Sequence, residues 1–471
     1  MTSIALRATA PPLHQEPKES WLVRRLGPAW PLKALFLGFP LWWALGLASF
    51  SFLIAAAIMG VQMIRRGPIR VPAGFGIWVL FMLWMFAGVF MIYVHAPGTI
   101  DVTGPNPVVG FTLRAMWYVA VTVAMLYPMN LPPRVLPPEQ VVRWMGYLFL
   151  VCIVGGVAGL AFPHFQFTTP LEAIIPGARG QGFIHEKVHA SLTDLSDFLG
   201  YTQPRPKAPF TYANAWGNNV GLLLPFFVYA WMTSAKKWRR AATPVVLAIA
   251  AVPIALSLNR GLWIGLLILA IYAAVVLARA GHFAALWALV VCLVLAAVII
   301  VASPLWATIT LRVQTPHSND RRQTVAGVVT STTLHGSPLL GYGTNRQVIG
   351  SFSSVAGGAT PDCHQCAAPP LGTQGFIWRL IFTTGFVGTA LFYAFVGVQF
   401  FTHFRRRDPF SILACMGLAV SGLFFFVYDS LESPLFILFL AIGLMNVQRQ
   451  VGVEPAGPQA GSPAFLVGGK A

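Results

Sequence analysis

The chain has 471 residues, of which 56% are hydrophobic and only 10% charged. A soluble globular chain carries roughly 25% charged residues, so composition excludes an ordinary soluble domain. The formal net charge of +17 would suit a nucleic-acid binder. The basic residues, however, sit in short loops between apolar runs, where they report membrane orientation, and nucleic acid drops out as a partner.

Residues 1–32 are Pro-rich and charged, with no apolar core and no small-residue cleavage site. They read as a disordered cytoplasmic tail, not a signal peptide. Residues 33–450 read as a single transmembrane domain. Its apolar segments fall near 34–47, 48–64, 75–94, 111–128, 141–162, 214–234, 242–258, 261–279, 283–303, 375–402, 409–428 and 433–447. Runs approaching ~20 apolar residues are the spanning signature. They predict an all-α polytopic membrane protein with about 12 transmembrane helices.

The stretch 34–64 could be one long tilted helix. Arg24, Arg25 and Lys33 precede it, and Arg65, Arg66 and Arg70 follow it. Basic residues on both flanks require an even number of crossings, so a short hairpin is expected. Arg134, Arg143, the Lys236–Arg240 run, Arg279 and Arg405–Arg407 then fall on the same inner side. Both termini are cytoplasmic in this topology, with 451–471 a second tail. Cys152, Cys292 and Cys415 lie inside apolar runs as small hydrophobes.

Two outer segments, about 163–212 and 304–374, are too long to be mere connections. In the second, Ser318 to His335 reads as a helix, capped by Ser318 or Asn319 and stopped by Gly336 and Pro338. Gly341-Tyr342-Gly343 then forces a tight turn. No internal repeat is evident, which argues against a transporter built from repeated halves.

The outer segments collect arginines. Arg205 and Lys207 precede a helix that opens at Asn214; Arg260 sits in a very short turn; Arg321 and Arg322 start the loop helix. Guanidinium groups bind phosphate oxygens bidentately, and several converging would suit a diphosphate. Lys207 and Arg312 alone read as snorkelling interfacial cations. Arg260 reads as functional, because a two-residue turn among apolar residues hardly needs a charge. Arg321 and Arg322 are balanced between that role and a solvated helix start.

His185-Glu186-Lys187-Val188-His189 matches the H-E-x-x-H zinc pattern. Short motifs arise by chance and the sequence specifies no third ligand, so no metal site is assigned. Cys363 and Cys366 flank His364 in an outer loop, where a local disulfide is the first reading and free thiols the second. Asp194, Asp197, Asp429 and Glu432 read as solvated loop carboxylates.

The pattern resembles the O-antigen ligase and Wzy-type polymerase family of membrane glycosyltransferases. The likeness runs roughly from 205 to 390. Arg205 through Asn214 to Pro225 resembles the family's Arg-x-x-Gly-x-Phe…Asn segment, and Ser257–Gly261 its Ser-Arg-Gly turn. Asp320-Arg321-Arg322 with Ser337–Gly343 resembles its Arg…Pro-Leu-Leu-Gly-x-Gly stretch, and Gly385–Gly388 its Gly-Leu-Leu-Gly at the entry of the tenth helix.

The resemblance implies a glycosyltransferase C-type architecture in the bacterial plasma (inner) membrane. It implies a polyprenyl-diphosphate-linked glycan donor, a glycan or lipid hydroxyl acceptor, and no metal or other cofactor. Arg205, Arg260, Arg321 and Arg322 would bind the diphosphate, while Asn214, Gly341 and Gly343 would be structural. The chain departs at the family's catalytic histidine, whose position is held by Gln374. Glutamine cannot act as a general base, so His364 becomes a candidate substitute. A lipid-linked glycan transporter or flippase and a catalytically inactive homologue remain the alternatives.

Overall fold

A computed structural model describes residues 27–175, 183–196, 203–302, 317–348 and 370–451, with 306, 307 and 310 between. Residues 1–26 and 452–471 of the two tails, Arg312, Asp197, Cys363, His364 and Cys366 lie outside the described residues, as do the side chains of Arg321 and Arg322; the end of the expected first tail instead begins a helix at Trp30.

The chain is mostly helical with little sheet. α1 (Trp30–Leu37) and α2 (Phe39–Ala44) lead into α3 (Ala48–Ile64) and α4 (Phe75–Ala87), the last continued by a 3₁₀ turn, Gly88–Met91. The first apolar segment is therefore not one helix. Gly38 and Pro40 interrupt it, and the Trp42 indole N–H bridges the break to the Ala34 carbonyl at 3.0 Å. α5 (Asn106–Asn130) and α6 (Pro138–Ala161) follow.

Between α6 and the next long helix the chain builds a small cap. It comprises β1 (Gln166–Phe167), α7 (Pro170–Ile174), α8 (Phe183–Val188), β2 (Ala190–Ser191), β3 (Thr193–Ser196) and β4 (Gln203–Pro206). β1 pairs with β2 and β3 with β4, both antiparallel, so that Asp194 faces Arg205 across the second ladder.

The remaining helices are α9 (Ala213–Met232), α10 (Lys237–Leu256), α11 (Arg260–Arg279), α12 (Phe283–Ala302), α13 (His317–Gly336), α14 (Phe376–His403), α15 (Pro409–Val427) and α16 (Ser433–Val451). Among the described residues, six helices, α5, α6, α10, α11, α14 and α15, are long and apolar enough to cross a membrane. At 1.5 Å per residue, 19 or more residues cover the ~30 Å of a hydrocarbon core. α10, α11 and α12 turn outward apolar side chains such as Val252, Leu267, Ile271 and Trp287, the faces a bilayer would cover.

α16 is the centre of the bundle, with Leu435 to Met445 almost wholly buried against α5, α9 and α15. α9 falls short of the spanning hydropathy because it carries Asn218 and Asn219 on a buried face. Their amides donate to Ser430 and Ser433 at 2.8 and 2.9 Å, polar links between helices in an otherwise apolar interior.

α14 is broken inside. Gly385 adopts φ 67° and ψ −175°, so the Gly385–Gly388 motif marks a kink within the helix and not its entry. The physical reason is the Ser337–Arg346 segment, which inserts against the break. Tyr342 N–H donates to the Phe382 carbonyl (2.8 Å), Gly343 N–H to Thr383 (3.2 Å), and Phe386 N–H to the Pro338 carbonyl (2.8 Å). Three backbone groups at the kink, the Phe382 and Thr383 carbonyls and the Phe386 N–H, thus find partners in the inserted segment.

Arg346, 2% exposed, ties this segment to the end of α4 by donating to the carbonyls of Ile92 (2.6 Å) and Tyr342 (3.3 Å). A Cβ at Gly385 would lie 2.1 Å from the Leu339 carbonyl oxygen. We therefore expect Gly385→Ala to destabilise the protein by at least about 1–3 kcal/mol. Gly76→Ala on α4, where nothing lies within 4 Å, should be neutral or stabilising by up to ~1 kcal/mol. Unfolding midpoints in detergent compare the two.

Candidate functional site

The turn between α15 and α16, Tyr428 to Ser433, gathers the elements at one end of the bundle. The Tyr428 hydroxyl donates to Asn259 Oδ1, and its carbonyl accepts from Phe376 N–H at 2.8 Å. Asp429 pairs with Arg379 of α14, and Glu432 with Lys187 of α8. Ser430 and Ser433 hold α9 as described. Asp429 and Glu432 keep solvent access, as expected of loop carboxylates, but each is also paired with a cation that is largely shielded from water.

Asn259 is the N-cap of α11. Its side chain accepts from Leu262 N–H at 3.4 Å, and Arg260 takes the first helical position beside it. Arg205, 9% exposed, reaches the same turn. Its Nε donates to the Ser257 carbonyl at 3.0 Å and its Nη2 to Asn214 Oδ1 at 3.2 Å. Arg205, Asn214 and Arg260, separated in sequence, thus share one corner, with two edges of the Arg205 fork committed to shaping it.

Among the described residues, the non-glycine positions with positive φ are Leu258 (52°) and Gln374 (65°). Side chains are disfavoured there by about 1–3 kcal/mol, and such strain concentrates at functional sites. Leu258 immediately precedes Asn259-Arg260. Gln374 opens α14, next to Gly375, where a Cβ would lie 2.5 Å from the Phe426 carbonyl oxygen. The two strained turns are joined through Tyr428, which bonds Asn259 with its hydroxyl and Phe376 with its carbonyl.

Beside this corner the cap lines an open cavity of about 530 Å³, bordered among others by His164, His185, Glu186, His189, Arg205 and Lys207. Lys207 is not a lone snorkelling cation. It pairs with Asp194 at 3.1 Å, whose second oxygen accepts from Ala213 N–H at 2.9 Å and so caps α9. Tyr212 donates to Glu186 at 2.6 Å; burial pushes its phenol pKa up, and the acceptor carboxylate pushes it further. The phenol therefore stays a neutral donor, and Lys187 sits over its ring at 5.2 Å.

No protein-family model matches the chain, and no curated protein matches it in sequence. The site must be read from its own chemistry.

That chemistry includes a group of possible metal ligands. Glu172 of α7 meets His185 and His189 of the H-E-x-x-H segment, the ligand atoms all within 4.8 Å of one another. The third ligand that the sequence left unspecified comes from 13 residues upstream in the same cap. Glu186 is turned away to Tyr212.

Of the expected site residues, Arg205, Asn214, Arg260 and Gln374 come together at this end, while Gly341 and Gly343 form the segment lodged in the α14 kink. α13 packs on α14, but the Arg321 and Arg322 side chains lie outside the described residues, as does His364. Sequence reasoning missed Tyr428, for which the signal was a Tyr-Asp-Ser-Leu-Glu-Ser turn unusually polar for a connection between two apolar helices.

Tyr428→Phe should keep the packing of a side chain 2% exposed but strip Asn259 of its hydroxyl partner, costing about 1–3 kcal/mol. Tyr93→Phe, which loses an exposed bond to the Gly104 carbonyl, should cost under ~0.5 kcal/mol. Denaturant unfolding of both variants in one detergent tests the difference.

Proposed function

We propose that the chain transfers or polymerises a glycan from a polyprenyl-diphosphate carrier onto a hydroxyl acceptor, as O-antigen ligases and polymerases do. The observation that carries this reading is the pairing of strained turns at Leu258 and Gln374. They flank Arg260 and the position of the family's base, and they are linked by the one residue Tyr428.

In this reading Arg260, with Arg321 and Arg322, takes the diphosphate's charge and stabilises it as it leaves. Arg205 acts largely through the turn it holds. Gln374 accepts a hydrogen bond from the acceptor hydroxyl and orients it, in place of a base that typically contributes about 10²–10⁴-fold. The enzyme is accordingly slow but not inert. His364 is the alternative proton acceptor.

The reading includes twelve crossings, cytoplasmic termini, and the Arg260 end facing outward from the bacterial plasma membrane. Its support is the placement of Arg65, Arg134, Lys237 and Arg405 at helix ends away from the Tyr428 turn. In intact cells, Gln166→Cys in a cysteine-free background should react with an impermeant maleimide and Ser234→Cys should not. Reaction at Ser234→Cys would overturn the orientation.

Transfer is tested with purified protein and a polyprenyl-diphosphate oligosaccharide, scored by product mass. Arg260→Lys should lower turnover at least about ten-fold, since the bidentate fork is lost. Gln374→Gly should gain about 1 kcal/mol of stability by relieving its φ while losing transfer. Movement of the lipid-linked glycan across proteoliposomes with no transferred product would sink the enzyme reading.

A further inference from the structure

The geometry points to a binding site for one zinc-class divalent ion, held by Glu172, His185 and His189 at the wall of the cap cavity. This stands independently of the glycan-transfer reading.

The three donors are positioned before any ion arrives. Thr169 caps α7 through a reciprocal pair: its hydroxyl accepts from Glu172 N–H at 3.2 Å, and its own N–H donates to Glu172 Oε2 at 3.3 Å. The same hydroxyl donates to the Val188 carbonyl at 2.8 Å, clamping α7 to the end of α8. Glu172 is 3% exposed. His185 and His189 stand one helical turn apart, rings 4.6 Å apart and 26° from parallel. Their Nδ1 atoms lie 3.1 and 2.9 Å from the two carboxylate oxygens.

Zinc–nitrogen and zinc–oxygen bonds of about 2.0–2.1 Å at tetrahedral angles place neighbouring donors about 3.3 Å apart. The two nitrogen–oxygen separations are within a few tenths of an ångström of that spacing, and all three donors lie within 4.8 Å of one another. Two imidazoles with one carboxylate suit zinc and its neighbours, not magnesium or calcium, which take oxygen.

Charge argues the same way: a buried carboxylate calls for positive charge beside it, and a divalent ion shared with the two imidazole nitrogens supplies it at Glu172. Three protein donors leave a fourth position, and the cavity lined by both imidazoles has room there for water or an anionic oxygen.

The test uses untagged full-length protein purified in detergent, incubated with zinc, exchanged into metal-free buffer and measured by mass spectrometry for metal content. About one zinc per chain is expected, and Co²⁺ in its place should show the intense visible band of a tetrahedral site. His189→Ala should abolish binding. Glu172→Gln should weaken it at least about ten-fold yet fold, because glutamine preserves the capping box. His164→Ala, on the same cavity wall, should retain the ion. Folded wild type without zinc would overturn the site and leave a hydrogen-bonded latch. Undiminished zinc in folded Glu172→Gln and His189→Ala would equally overturn it. Should His189→Ala fail to fold, the Glu172→Gln comparison decides.

Discussion

The hydrogen bond from the Tyr428 hydroxyl to Asn259 fastens together the two turns on which the site depends. It joins the end of α15 to the start of α11, while the Tyr428 carbonyl caps the start of α14. Both bonds are made by one residue, 2% exposed, in surroundings where a lost partner is not replaced by water. That is why Leu258 and Gln374 can persist in conformations that isolated chains avoid. The ion pairs Asp429–Arg379 and Glu432–Lys187 extend the same turn to α14 and to the cap. Neighbouring elements thus converge on six residues.

The broken helix α14 solves a different problem with the same rule. A kink inside a buried helix frees backbone donors and acceptors, and an apolar interior punishes each one left unpaired. The Ser337–Arg346 segment supplies the missing partners and brings glycine where no Cβ fits: at Gly343 one would lie 2.3 Å from the Gly88 carbonyl oxygen. Arg346 shows that a buried cation in this protein is not by itself a ligand site. Its guanidinium donates to backbone carbonyls at the end of α4 and in the inserted turn. Arg260, beside a strained residue at a helix start, has a different setting although both are arginines amid apolar neighbours.

The cap shows how partner assignment changes the meaning of a motif. Lys207 and Asp194, read singly, are an interfacial cation and a loop acid. Together they brace the register of β3 and β4 and cap α9. His185 and His189, read singly, are a chance pattern; beside Glu172 they become three converging donors. In both cases the deciding partner lies more than ten residues away along the chain.

What the sequence determined by itself was whatever depends on neighbours a few residues apart. Apolar runs located the long helices, and the glycines at 341 and 343 announced a turn, because hydropathy and backbone freedom are local properties. The sequence also singled out Arg205, Arg260 and Gln374 without showing that they share one end. Only the tertiary structure decided that Gly38 splits the first apolar stretch and that Gly385 is a kink and not a helix start. It alone decided that Tyr428 is the link between two strained turns and that Glu172 completes a histidine pair. These outcomes rest on hydrogen bonds between atoms distant in the chain, which become strong only when packing excludes water around them. No local pattern encodes that exclusion.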